Sequence, residues 1–299
     1  MRPTGYHITG GQRLGSSLLA TVDAGFSAAQ IFLGPPQKFR QDPIPQDEAN
    51  LFRRIKRNSG IKVFVHAPYV LHAFAKPENT SKNNTFLKKL VQMASELECD
   101  GFVLHMGGTK WYETAEYHHV ATKLFEDIFG REEGQPVPIL FENCANGNDM
   151  SGDILAINNL ISVLKTQGHN VGLCLDTLHA WAFGYNYQDD SHLRMVLEPR
   201  MLSHLKLIHL NSGPDKVTCG SKYDRHEAIH KGCIPRECFS TLLKALPNIP
   251  VIIEGHEFSD ILSDIAFVKH VESESDEISR TPNANSDITG SSPAVTSES

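Results

Sequence analysis

The sequence predicts a (β/α)8 barrel, formed by a single domain and followed by a disordered C-terminal tail. Three observations predict it. Eight short apolar segments alternate with eight amphipathic ones, the pattern of a parallel α/β fold. The 299 residues suit one closed barrel of about 250 residues plus a tail. The first turn reads TGGQRLG at 9–15, which lacks the glycine fingerprint of an open dinucleotide-binding sheet. Together these favour the closed TIM barrel over a doubly wound sheet.

The strands are expected at 6–9, 29–33, 62–66, 101–105, 138–142, 171–176, 205–210 and 251–254, each a short apolar run. The helices between them are expected to begin near Ser16, Gln46, Thr85, Thr114, Gly152, Leu193 and Pro235, with an eighth near Phe258. The third helix shows its period well: Phe86, Leu87, Leu90, Val91, Ala94 and Leu97 fall on one face. Pro235 suits the first turn of a helix, where no amide hydrogen is needed. From Glu272 onward large apolar residues nearly vanish, and Ser, Thr, Asn, Pro and acids take over. Such a segment buries too little surface to offset its ordering entropy. The division expected is therefore a barrel domain over 1–271 and a disordered acidic, Ser-rich tail over 272–299.

An apolar fraction of 40% supports a sizeable core. No apolar run approaches the roughly 18 residues of a membrane helix, and the first residues carry no apolar leader core, so an intracellular protein is expected. Cysteines 99, 144, 174, 219, 233 and 238 form no CxxC pair, so free thiols are expected, with Cys144 and Cys174 as small core residues. The net charge of −7 argues at first against nucleic acid. The tail, however, carries six acids and one base, a net of −5, which leaves about −2 for the barrel. Bound divalent cations would reverse the local field, so the global charge decides nothing.

Functional side chains of a (β/α)8 barrel stand at the C-terminal ends of its strands. Strand three ends VFVHAPY, giving His66, and strand four ends FVLHMGG, giving His105. Strand five ends in Glu142 and strand six in Asp176, with His179 three residues on. Strand seven ends in His209, its following loop carries Asp224 and His226, and strand eight ends in Glu254. Singly, a histidine here is most simply a hydrogen-bonded structural residue, and Asp176 before Thr177 reads as a helix cap. Metal-type residues ending six strands in succession are not explained by independent caps. Imidazoles and carboxylates together suit zinc, manganese or iron, and nine ligands exceed one tetrahedral ion. His118, His119, His169, His192, His204 and His270 fall on helices or helix ends and are set aside. His7 and His256 are candidates for holding the ligands from behind.

The motifs DTLHAWAFGY at 176–185, HLN at 209–211, GSKYDRHEAI at 220–229 and FEN at 141–143 resemble the endonuclease IV family of apurinic/apyrimidinic (AP) endonucleases, over roughly residues 5–270. The resemblance implies three Zn2+ ions per chain, with Mn2+ or Fe2+ as possible substitutes. Glu142 would bridge two ions. His66 and His105 would hold the first, Asp176, His209 and Glu254 the second, and His179, Asp224 and His226 the third. Glu142 and Glu254 would carry the catalysis. It further implies a monomer acting on double-stranded DNA, cleaving the phosphodiester 5′ to an abasic site in base excision repair and leaving 3′-hydroxyl and 5′-deoxyribose phosphate ends. No lysine is placed for a Schiff base, so a lyase route is not suggested.

The loop LGPPQKF at 33–39 corresponds to a DNA-penetrating loop of the family, which makes Gln37 and Lys38 DNA-binding candidates. Gln37 stands where the family often has arginine. Tyr69 matches a family tyrosine that packs in the opened duplex. A second departure is IHKGCIP at 229–235, where His230 and Pro235 replace two glycines of the usual IGxGxIG stretch. The basic run Arg53, Arg54, Lys56 and Arg57 reads as a solvated helix face before it reads as a phosphate contact. Two other classes share the architecture. One is a sugar isomerase or epimerase of the xylose-isomerase-like superfamily, which would need only residues like Glu142, Asp176, His209 and Glu254. The other is a non-catalytic damage binder.

Overall fold

A computed structural model describes residues 2–8, 11–107, 116–129, 137–146, 149–255 and 257–280. Its strands are β1 Thr4–His7, β2 Ala28–Ile31, β3 Lys62–His66, β4 Gly101–His105, β5 Ile139–Glu142, β6 Val171–Asp176, β7 Leu205–His209 and β8 Val251–Ile253. They pair in parallel, in sequence order, and β1 closes on β8 to complete the barrel. The helices are α1 Leu14–Asp23, α2 Gln46–Ser59, α3 Thr80–Glu96, α4 Tyr117–Phe129, α5 Asp149–Gly152, α6 Ile154–Thr166, α7 Thr177–Phe183, α8 Asp190–Val196, α9 Pro199–His204, α10 Arg236–Ala245 and α11 Phe258–Arg280. Among the described residues, no helix is long and apolar enough to cross a membrane.

Alternation along the strands explains how the barrel is filled. Successive side chains point to opposite faces, so residues i and i+2 share one. The barrel interior holds Ala28, Phe64, Val103, Leu140, Cys174, Leu207 and Ile252, one from each of β2 to β8. The outward-facing strand residues join the helices in the larger core, where Phe52, Phe125 and Phe239 are fully buried. Two residues past each inner apolar side chain comes Gln30, His66, His105, Glu142, Asp176, His209 or Glu254. His7 completes the set, paired in register with Gln30. The polar residues therefore form one layer directly above an apolar plug.

The expected third helix starts at Thr80 rather than near Thr85. Its first buried positions are Asn83 and Asn84, so hydrophobic periodicity does not show them. Asn83 instead brackets the loop after β3, accepting from His72 N at 3.1 Å and donating to His72 O at 3.0 Å. Three short helices, α7, α8 and α9, replace the single helix expected between strands six and seven. The helix expected near Thr114 begins at Tyr117, and residues 108–115 lie outside the described residues.

The last helix does not stop at the expected boundary of 271. It continues to Arg280, because its next turn has partners on the barrel. Glu272 accepts from Arg2 N and Nε at 3.0 and 3.2 Å, and Glu274 pairs with Lys244 at 3.0 Å. The low apolar content that suggested disorder from Glu272 is offset by these ion pairs. Residues 281–299 lie outside the described residues.

Three of the four residues of the basic run on α2 have structural partners. Arg53 donates to Glu96 O, Lys56 pairs with Asp100 at 2.7 Å, and Arg57 pairs with Glu98. These partners lie where α3 turns into β4, at the N-terminal end of the strands and away from the polar layer. All six cysteines are free.

Candidate metal centre

The nine residues expected at the strand ends come together. Glu142, 1% exposed, sits at the middle of four imidazoles. Its Oε2 lies 3.2 Å from His66 Nε2 and 3.2 Å from His105 Nε2. Its Oε1 lies 3.1 Å from His209 Nδ1 and 3.4 Å from His179 Nδ1. Four clusters bring possible ligand atoms within 4.8 Å of one another: His66, His105 and Glu142; His66, His209 and Glu254; Asp176, His179 and His226; and Glu142, Asp176, His209 and Glu254. Asp224 belongs to none of these four. Its side chain is 46% exposed, with Oδ1 3.2 Å from His179 Nε2 and 3.6 Å from His226 Nε2.

Local structure aims each ring. An imidazole that donates from one nitrogen presents the lone pair of the other. His66 Nδ1 donates to Ala67 O at 2.7 Å, and His179 Nδ1 to Asn143 O at 2.9 Å. His105 Nδ1 meets Cys144 Sγ at 3.3 Å. Cys144 is thus half-buried beside a ligand rather than a core residue as expected, because it stands past the end of β5. Asp176 fulfils both readings at once. It caps α7, accepting from His179 N at 2.8 Å through Oδ1, while its Oδ2 faces the cluster, 3.9 Å from His226 Nε2.

Sequence reasoning missed three amides. Asn143 donates to Asp176 O and accepts from Asp176 N, at 3.0 and 2.9 Å. Asn211 Nδ2 donates to Asp176 Oδ2 at 2.7 Å and to Glu254 Oε2 at 3.0 Å. Gln30 contacts His209, Glu254 and His7. None is a metal-type residue. Their signal was position alone, in or just past the strand-end layer. His7 does stand behind the ligands, through Gln30, whereas His256 lies outside the described residues.

The electrostatics call for cations. Among the described residues, the three carboxylates of the polar layer, Glu142, Asp176 and Glu254, pair only with histidines, never with lysine or arginine. Burial raises the Asp176 carboxyl, and Glu142 and Glu254 push it further, against His179 and His226. Burial would also raise Glu254, but His209, His226 and His66 bring it down to about 2. Glu142 is held well below the usual carboxylate range by His105, His209 and His179, which outweigh its burial. Burial pushes His105 down to about 4, so its ring is neutral at neutral pH. His179 Nε2 is buried with no hydrogen-bond partner, Asp224 standing close but not aligned to accept. Two carboxylates held charged, a neutral imidazole and an orphaned ring nitrogen fit divalent ions of the zinc type.

The DNA-binding candidates lie at the same mouth. The Tyr69 ring, with the residue 51% exposed, stands 5.6 Å from His66 and 6.1 Å from His105. Tyr69 N donates to Pro36 O at 2.7 Å, which ties the tyrosine to the 33–39 loop. Gln37 and Lys38 are exposed on that loop. His230 lies apart, near Asp260 and Asp264 of α11 at 3.6 and 3.7 Å.

A family model for xylose isomerase-like TIM barrels matches residues 18–271. A probable endonuclease 4 of Mesomycoplasma hyopneumoniae is 30% identical over 239 residues, covering 76% of this chain and 82% of the relative. The chain belongs to the xylose isomerase-like TIM-barrel family and, within it, to the endonuclease IV family. Among solved structures, endonuclease IV from Thermus thermophilus superposes with a TM-score of 0.77 at 22% identity, covering 91% of this chain and 99% of that one. A D-tagatose 3-epimerase-like protein superposes with a TM-score of 0.67 at 18% identity, covering 93% and 100%. These two structural matches speak to the fold alone, since both chemistries use one architecture.

Proposed function

We propose that this protein is a zinc-dependent AP endonuclease, a deoxyribonuclease IV-type hydrolase that cuts double-stranded DNA 5′ to an abasic site in base excision repair. The observation that carries the reading is the convergence of all nine residues, including the five that an isomerase would not need: His66, His105, His179, Asp224 and His226. Relatives named endonuclease 4 support the same class.

His66, His105 and Glu142 would hold one ion, Glu142, Asp176, His209 and Glu254 a second, and His179, Asp224 and His226 a third. Bound there, the ions supply charge neutralisation for a phosphodiester and a hydroxide-like nucleophile at neutral pH. The residues of the chain do the rest. Glu142 and Glu254 stay ionised, and the rings are fixed by Ala67 O, Cys144 Sγ, Asn143 O and Gln30 Oε1. The apolar plug beneath keeps water from entering from below. Asp224, with its side chain 46% exposed, and His226, at 20%, make the third set the one most open to solvent. Tyr69 offers an exposed aromatic face beside the ligands, suited to packing where a base is missing. Gln37 and Lys38 extend that surface toward the backbone of the duplex. The protein is taken to act as an intracellular monomer.

The test is incision of a duplex carrying one stable abasic analogue, with metal analysis on the same sample. The expected result is a cut on the 5′ side leaving a 3′-hydroxyl, with three zinc ions per chain. One ion per chain with no incision would favour the isomerase reading. Tight abasic-DNA binding without incision would favour the damage binder.

A further inference from the structure

Gln30 is fully buried, 0% exposed, and sits on β2 in the same inward layer as the ligands of the other strands. A carboxamide there can be checked by donor and acceptor accounting. Glu254 Oε1 lies 2.6 Å from the amide nitrogen. An ionised carboxylate only accepts, so the NH2 group must face it. The second amide hydrogen points to His7 Nδ1 at 3.2 Å. The amide oxygen then lies 2.8 Å from His209 Nε2. A flip of the amide would put oxygen against Glu254 oxygen and would leave His209 facing a donor. The arrangement fixes one point: Nε2 of His209 carries a hydrogen, so Nδ1 is the ring nitrogen left available to a metal ion. Nδ1 hydrogen-bonds to Glu142 Oε1 at 3.1 Å, with Glu254 Oε2 at 3.4 Å, and a metal ion held by these carboxylates would take the place of that contact.

We propose that Gln30 is a positioning residue that makes Nδ1, not Nε2, the metal-facing nitrogen of His209 and turns Glu254 Oε2 to the same point. It acts from β2 on ligands of β7 and β8, and it rests on the reading of this layer as a zinc site. His66, held by a backbone carbonyl, needs no such residue. Nε2 of His209 faces β2 instead, so a side chain must supply the acceptor. Glutamine does so without adding a charge to a core that already holds three carboxylates.

The test compares the unmutated chain with Gln30→Met, which keeps the length and removes all three bonds. Zinc affinity is read by competition with a chromogenic chelator, and histidine tautomers by long-range 1H–15N correlation of the zinc-loaded protein. The unmutated chain should show His209 protonated at Nε2 and metal-bound at Nδ1. Gln30→Met should hold one of its zinc ions roughly 10- to 100-fold more weakly, the others being unchanged. Incision at limiting zinc should return on adding zinc, with KM for the duplex unmoved. A folded Gln30→Met chain with zinc affinity within about twofold of the unmutated one would overturn the proposal. So would His209 protonated at Nδ1 in the unmutated chain, a measurement that needs no variant to fold. An unmutated chain that binds no zinc would overturn the metal reading and the proposal with it. Normal zinc binding and incision with an indifferent Gln30→Met would overturn this inference alone.

Discussion

Asn211→Asp replaces a donor by an isosteric acceptor at the most crowded point of the polar layer. Asn211 Nδ2 lies 2.7 Å from Asp176 Oδ2 and 3.0 Å from Glu254 Oε2. A third carboxylate at those distances would meet repulsion of about 6 kcal/mol from each neighbour at an effective dielectric constant of about 20. Taking up one proton at pH 7 costs only about 4 kcal/mol for a carboxyl of ordinary pKa near 3.9. Protonation is the smaller cost, so in the zinc-free chain the three carboxyls share one proton. That proton makes one hydrogen bond where the amide made two, and the one lost adds about 1–3 kcal/mol. The total is roughly 5–7 kcal/mol at pH 7. The sign follows from linkage. The folded-state pKa of the set is raised above its unfolded value, so the penalty is least in acid and grows as pH rises, by about 1.4 kcal/mol per unit. Urea unfolding of the zinc-free chain and variant at pH 5 and pH 7 measures this. The stability difference should widen by roughly 2.7 kcal/mol between them. A difference that stays constant with pH would refute the assignment of Asn211 as joint donor to Asp176 and Glu254.

Three further outcomes are expected. Glu142→Gln keeps the shape but removes the charge on which four imidazoles converge, so zinc content should fall by at least one ion and incision by roughly 100-fold or more; an assay showing full activity would refute the site. His7 is held neutral, its pKa pushed down to about 4 by burial, so it destabilises the fold as pH drops from about 6.5 to 4, by at most about 1.4 kcal/mol per unit. The pH slope of unfolding in that window should shrink in His7→Asn. Truncation after Val271 removes Glu272 and leaves Arg2, 3% exposed, without its carboxylate. The loss should be about 3 kcal/mol, the low end for a broken buried pair, because Arg2 Nη2 still donates to Leu243 O and Leu246 O. A chain ending at Arg280 should therefore melt roughly 6 °C higher than one ending at Val271, and equal melting temperatures would show that the last turns contribute nothing.

The barrel was legible because its periodicities are local. Val63, Val65, Phe102 and Leu104 alternate with inward residues, and strands of this kind read directly from the chain. What misled was polarity in buried places. Asn83 and Asn84 hid the first turns of α3, and Glu272 and Glu274 made a packed helix look like the start of a tail. In each case the missing apolar signal was replaced by a hydrogen bond or ion pair to a residue in another segment, 11 positions away for Asn83 and His72 and 270 for Arg2 and Glu272.

The sequence by itself determined the residue types of the centre and their assignment to strand ends. A two-residue period places a polar side chain above each apolar one, and barrel closure brings the strand ends to one mouth. Only the tertiary structure decided how those residues face each other. That His209 turns Nδ1 inward depends on Gln30, 179 positions away. That Asp176 serves a helix and the cluster together depends on α7 starting where β6 ends. Such orientations are set by hydrogen bonds between neighbouring strands, and these exist only once the barrel has closed.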